Sequence, residues 1–125
     1  MKTQIALSVL VGAALGAVVV EKLNAQKGPS AYFIAEIGVS DIEANKRIIA
    51  RLPATAEAFG GHYLVRGGKT VTYDGEPPKR LVVVAFDSLD TIQAWRAAPT
   101  TKELETQRKQ AGARIRAFAV EGLTP

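Results

Sequence analysis

From Ala31 onward, short apolar runs alternate with stretches of helical spacing. Ala31 to Val39, AYFIAEIGV, is rich in β-branched, aromatic and small apolar residues and predicts a strand. Ser40 and Glu43 have the S-x-x-E spacing of a capping box, so a helix is expected to open at Ser40. Ile42, Ile48, Ile49, Leu52 and Ala56 give it one apolar stripe. Pro53 removes a helical hydrogen bond and predicts a kink or a restart, and Gly60-Gly61 ends the helix. His62 to Arg66, HYLVR, predicts a second strand. Gly67-Gly68 breaks it, and Thr70 to Tyr73 is expected to resume it after a bulge. Asp74-Gly75 signals a turn, and Pro77-Pro78 bars a ladder. Arg80 to Phe86, RLVVVAF, is apolar at both parities, as a strand buried on both faces would be. Ser88 caps a helix carrying Leu89, Ile92 and Trp95, and Pro99 stops it. Thr100 and Glu103 suggest a second capping box, for a helix running to about Ala111. Arg114 to Glu121, RIRAFAVE, predicts the last strand.

The order is β-α-β-β-α-β, the split βαβ pattern of a ferredoxin-like α+β fold. Right-handed crossovers put the first and third strands in the middle of the sheet and the second and fourth at its edges. The helices then cover one sheet face. The other keeps its own apolar side chains, because the third strand is apolar on both sides. A second copy packed sheet to sheet would bury them, so a homodimer of the dimeric α+β barrel type is expected.

The first residues follow a different pattern. Lys2 precedes an unbroken apolar and small run, IALSVLVGAALGAVVV, over residues 5–20, and Glu21 to Ala25 forms a polar end with a small last residue. This is the layout of a secretory signal, and the run is shorter than the ~20 residues of a spanning helix. Residues 1–25 are therefore expected to direct export to the periplasm or beyond. The alternative is an uncleaved membrane anchor, the one route by which a membrane enters this reading. Residues 26–30 read as a linker and 31–123 as the domain.

Composition narrows the chemistry. A length of 125 residues holds one domain. The hydrophobic share of 47% and charged share of 22% are those of a globular chain. The net charge of +4 comes from 16 basic residues dispersed among 12 acidic ones, without the stripe or aromatic interleaving of a nucleic-acid surface. The absence of cysteine excludes disulfides, thiolate catalysis and cysteine metal sites. No cofactor and no metal are expected.

Few residues carry candidate chemistry. His62, the only histidine, can serve as a general base near neutral pH. Against that stands its position at a strand end, where an exposed, purely structural residue is the simpler reading. Glu36 interrupts an apolar strand on the parity of Tyr32 and Ile34 and needs a partner if buried. Arg66 ends HYLVR on the parity of His62 and Leu64, so regular alternation would turn His62 and Arg66 to one side. Glu36 and Arg66 can then form either a clamp for an anionic or polar ligand, or an internal ion pair or dimer contact. Trp95 lies on an apolar helix stripe, as core or as the roof of a pocket. Gly67-Gly68 lacks the following helix and the Lys-Ser/Thr of a phosphate loop.

Several stretches together resemble the DUF1330 family. They are Gly60-Gly61-His62-Tyr63-Leu64-Val65-Arg66-Gly67-Gly68, the strand Val82 to Phe86 with Ser88, Trp95 with Pro99, Arg108, and Val120-Glu121-Gly122. The resemblance spans Ala31 to Leu123 and implies a dimeric α+β barrel with no established reaction. The chain departs from the family pattern at His62, where arginine is usual, at Arg96, where tyrosine follows the tryptophan, and at Ala98, where serine precedes the proline. Asn45 and Ile48 stand where the family often has tyrosines. The expected function is binding of a small apolar or anionic molecule, with Glu36, Arg66, Trp95 and Arg108 as candidate ligand-binding residues. One alternative is a cofactor-free oxygenase- or isomerase-like enzyme with His62 as base and Arg66 stabilising negative charge. A structural or interaction protein without a pocket is the other.

Overall fold

The computed structural model describes residues 30–124. The expected signal at 1–25 and residues 26–29 of the expected linker lie outside the described residues. Among those described, no helix is long and apolar enough to cross a membrane. The elements are β1 (Ala31–Val39), α1 (Ile42–Glu57), β2 (His62–Arg66), β3 (Arg80–Phe86), α2 (Leu89–Ala97), α3 (Pro99–Gln110) and β4 (Ala113–Glu121). The strands form one antiparallel sheet in the order β2-β3-β1-β4, with β1 and β3 central. This is the ferredoxin-like α+β topology that the element order predicts.

Alternation sorts the side chains onto two faces. Ala31, Phe33, Ala35 and Ile37 of β1 and Val82, Val84 and Phe86 of β3 are buried against the helices. The Trp95 ring anchors that layer, edge-on to Phe33 with centroids 4.9 Å apart and tilted on Phe86 at 5.0 Å. Its Nε1–H donates to Thr55 Oγ1 at 3.0 Å, and that hydroxyl donates to Leu52 O, so the buried indole is satisfied.

The helix termini differ from the sequence expectation in two places, and the interior of α1 in a third. The α1 cap is Asp41, whose Oδ1 accepts from Ala44 N–H at 2.9 Å. Ser40 instead donates to Gly112 O, beside the paired ends of β1 and β4. The helix does not restart at Pro53, which is contained in one continuous run from Ile42 to Glu57. The second capping box is also absent: α3 starts at Pro99, whose fixed φ and missing N–H suit the first helical turn, and no side chain caps it. Ser88 does cap α2, accepting from Thr91 N–H at 3.1 Å. Buried Asn45 donates to Asp41 O and Ala111 O, tying the start of α1 to the end of α3.

The expected continuation of β2 through Thr70 to Tyr73 is not strand. The bulge lies inside β2 instead. Tyr63 pairs with Val84 and Val65 with Val83, leaving Leu64 as the extra residue. α1 packs mainly on α3 and meets the sheet chiefly at its turn into β2. A gap therefore remains between α1 and the strands beneath it.

Candidate functional site

The gap is a small cavity of about 30 Å³. Its walls are apolar on the side of Phe33, Ile49, Leu52, Val84 and Trp95, and polar where Tyr63, Arg66, Arg80, Glu105 and Arg108 converge. An open groove of about 420 Å³ adjoins it, lined by Val39, Ile42 and Lys46. Ile37, Ile49 and Arg80 belong to both chambers.

The bulge positions the polar wall. With Leu64 as the extra residue, Tyr63 stands opposite Val84 and Arg66 opposite Val82, both on the helix-covered face. An unbroken ladder would have put Arg66 opposite Leu81, on the far side. Arg80 pairs with Ile37 and enters the same face from the start of β3. Gly67, at φ 73°, turns the chain away beside it. A Cβ on Gly67 would stand 2.8 Å from Arg80 Nε, so glycine also makes room for that guanidinium. The Arg66 guanidinium lies 5.4 Å from the Tyr63 ring centroid.

α3 supplies the rest. Arg108 is 5% exposed. Its Nη1 lies 3.6 Å from Glu105 Oε2, which also accepts from Arg96 Nη1 at 3.1 Å. Glu105 Oε1 and Arg108 Nε are both buried without a hydrogen-bond partner. Burial pulls the Arg108 pKa below the usual arginine value, opposed by the neighbouring Glu105 carboxylate. Burial likewise pushes the Tyr63 phenol up, opposed by Arg66, Arg108 and Arg80. With the Glu105 carboxylate shared between Arg96 and Arg108, the cavity has more positive charge than its own residues neutralise.

The sequence-predicted residues divide between the two sheet faces. Arg66, Trp95 and Arg108 meet at the cavity. His62 does not. It pairs with Ala85 on the open face and is exposed. The expected convergence of His62 and Arg66 is thus corrected by one inserted residue, Leu64. Glu36 is also on the open face, between Leu81 of β3 and Arg116 of β4, so it forms no clamp with Arg66. Sequence reasoning misses Tyr63, Arg80 and Glu105 as site residues. Arg80 shares the parity of Val82, Val84 and Phe86, and Glu105 precedes Arg108 by three helical positions, so both have a readable signal. Among the described residues, no group of three His, Cys, Asp or Glu stands close enough to hold a metal ion.

The model of a family described as a domain of unknown function, DUF1330, matches residues 30–123. No curated protein matches the chain. Among solved structures, the chain is similar to the RPA0582 protein of unknown function from Rhodopseudomonas palustris. The TM-score is 0.62 at 14% identity, over 85% of this chain and 93% of that one. A methylated form of that protein gives 0.57 at 13% identity, over 85% and 91%. A protein of unknown function from Bacteroides fragilis, described as dimeric with a ferredoxin-like fold, gives 0.48 at 12% identity, over 74% and 96%. At these identities the likeness to the two Rhodopseudomonas palustris structures shows the fold and nothing about a ligand.

Proposed function

The chain belongs to the DUF1330 family, which brings a fold without a reaction, and we propose that it binds a small organic anion between α1 and the sheet. The charged head sits against Arg66, Arg80 and Arg108 beside Tyr63. The apolar body lies in the adjoining groove beside Ile37, Val39 and Ile49. The observation that carries this reading is Arg108: a guanidinium 5% exposed, with an unpartnered Nε, sharing its carboxylate with Arg96. A desolvated cation of that kind is costly unless an anion receives it. The enzyme reading with His62 as base loses its geometry, because His62 lies on the opposite side of the sheet.

Thermal unfolding with aliphatic and aromatic carboxylates tests the proposal. A ligand at 100 times its Kd should add about 2.7 kcal/mol of stability. Arg108→Met, which keeps the bulk and leaves Glu105 paired with Arg96, should fold and lose that response. Absence of a shift in the wild type with any carboxylate sinks the reading.

Two further parts of the reading concern assembly and location. The open sheet face, with Ile34, Leu81, Val83, Phe118 and Val120, supports a homodimer with sheets facing each other. The apolar run at residues 5–20 supports export, with the domain released into the periplasm or beyond. Intact-mass measurement of the exported protein should show loss of about 25 residues. Full-length chain in the membrane fraction would favour the anchor instead.

A further inference from the structure

We infer that β4 takes up an extended acidic segment of another protein as an added strand, with alternate side chains of that segment in the groove between β4 and α2. The surface lies at the opposite sheet edge from Arg66. β4 is an edge strand of nine residues, and among the described residues nothing pairs with its outer side. Its register with β1 is regular from Ala31–Glu121 to Val39–Ala113. It has neither a proline nor a bulge, two of the usual guards of a strand edge. β2, the other edge, has five residues and a bulge at Leu64.

The ladder fixes which backbone groups are free. Gly122 N–H donates to Ser30 O at 2.7 Å, so those two residues form a hydrogen-bonded pair. Alternation then turns the backbone groups of Arg114, Arg116, Phe118 and Val120 toward β1 and those of Ile115, Ala117, Ala119 and Glu121 outward. Ala117 and Ala119 stand opposite Ala35 and Phe33 on the helix-covered face, yet both are exposed, because the helices stop short of this edge. They form the bed of an open groove of about 440 Å³, apolar apart from Gln93, Arg96 and Lys102. Free donors, free acceptors and room for side chains thus coincide at the same two residues, as strand addition requires.

Charge selects the occupant. Arg114 and Arg116 are exposed on the other side of β4, opposite Gly38 and Glu36, and Lys102 is exposed at the groove. A second copy paired antiparallel through its own β4 about Ala117 would set the two Arg116 side chains diagonal to each other. It would also offer the groove only alanine and Ile115. An acidic strand with alternate aliphatic residues answers both demands, with carboxylates toward Arg114 and Arg116 and aliphatic side chains in the groove.

Fluorescence polarisation of the full chain with the labelled peptides EVELEVE and KVKLKVK tests this. EVELEVE should bind ~10-fold or more tightly than KVKLKVK. N-methylation of alternate residues along one edge of EVELEVE should abolish binding, and along the other edge leave it unchanged. Ala119→Pro removes an outward N–H and leaves the β1 ladder intact, so it should fold and weaken binding ~10-fold or more. Arg114→Glu should narrow the preference between the two peptides to less than ~3-fold. Equal binding of the two peptides overturns the inference. So does binding that survives both N-methylations, as expected of carboxylates held in the cavity. Absence of EVELEVE binding also overturns it, and a lower mass of Ala119→Pro by light scattering would then assign the edge to a second copy.

Discussion

The two faces of the sheet are made from the same four strands and do opposite things with polar groups. On the helix-covered face, apolar side chains from β1 and β3 close around Trp95, with Arg96 over the Phe33 ring and a polar cluster where Tyr63, Arg66, Arg80 and Arg108 meet. On the open face, Ile34, Val83, Phe118 and Val120 lie beside Glu36, His62 and Arg116, and nothing from the chain's described residues covers them. One face has an apolar floor with one buried guanidinium, Arg108, beside the half-buried Arg80 and the exposed Arg66, and is the face proposed to take a small anion. The other mixes apolar and charged side chains and is the face proposed to meet a second copy. On these proposals a single sheet separates ligand binding from assembly by the side to which each residue points.

Val83 and Val84 break the comparison most sharply, because they are sequence neighbours on opposite faces. Val83→Glu sets a carboxylate in the middle of the open face. It should convert the proposed dimer to a folded monomer at micromolar concentration, since an unpaired buried charge costs several kcal/mol. Val84→Ala removes fully buried methyl groups from the helix-covered face. It should lower folding stability by roughly 2 kcal/mol while leaving association intact. Light scattering and urea denaturation of both variants read the two outcomes separately. A wild-type monomer, or a Val83→Glu dimer, refutes the assignment of the open face to assembly.

The division into faces is largely legible in the amino-acid pattern alone. The double parity of RLVVVAF, the length of each run and the single helical stripes are enough to give strand order and an uncovered side. The site is only half legible, for a local reason. HYLVR reads as regular alternation, and nothing in its composition marks Leu64 as the residue left over. Glycine, the usual sign of a bulge, stands at 67 and 68, after the bulge has occurred. That one residue moves Arg66 away from His62 and toward Arg108. The caps fail differently. Ser40 and Asp41 can each serve as a cap, and the tie from Ser40 to Gly112, remote in sequence and brought beside it by the β1–β4 pairing, is invisible to a local pattern.

The buried edge of the helix-covered face should also respond to pH. The Tyr63 pKa is raised by burial, so the folded chain keeps the phenol proton at pH values where the unfolded chain has lost it. Stability from this group is fully present below the ordinary tyrosine value of about 10 and is lost as pH climbs through the higher folded value. Arg108, with its pKa lowered, has the opposite sign, so the comparison must isolate the phenol. Urea midpoints measured from about pH 8 to 11 should fall less steeply for Tyr63→Phe than for the wild type. Identical slopes would place the Tyr63 hydroxyl in solvent rather than in the cavity wall.

The smallest effects are expected at His62 and Arg66, and their contrast tests the bulge itself. Both are exposed at the sheet edge, four residues apart, and regular alternation would make them one catalytic pair. Arg66 rests over the Tyr63 ring and borders the cavity, so Arg66→Ala should cost less than ~1 kcal/mol of stability. It should weaken binding of a carboxylate by about 3- to 10-fold, the loss of one partly solvated charge-assisted contact. His62→Ala removes a side chain on the other face and should leave carboxylate affinity unchanged. Calorimetric titration of the two variants with the same acid distinguishes the faces directly. If His62→Ala weakens binding as much as Arg66→Ala does, the two side chains serve one site after all. The extra residue at Leu64 would then not separate them in solution.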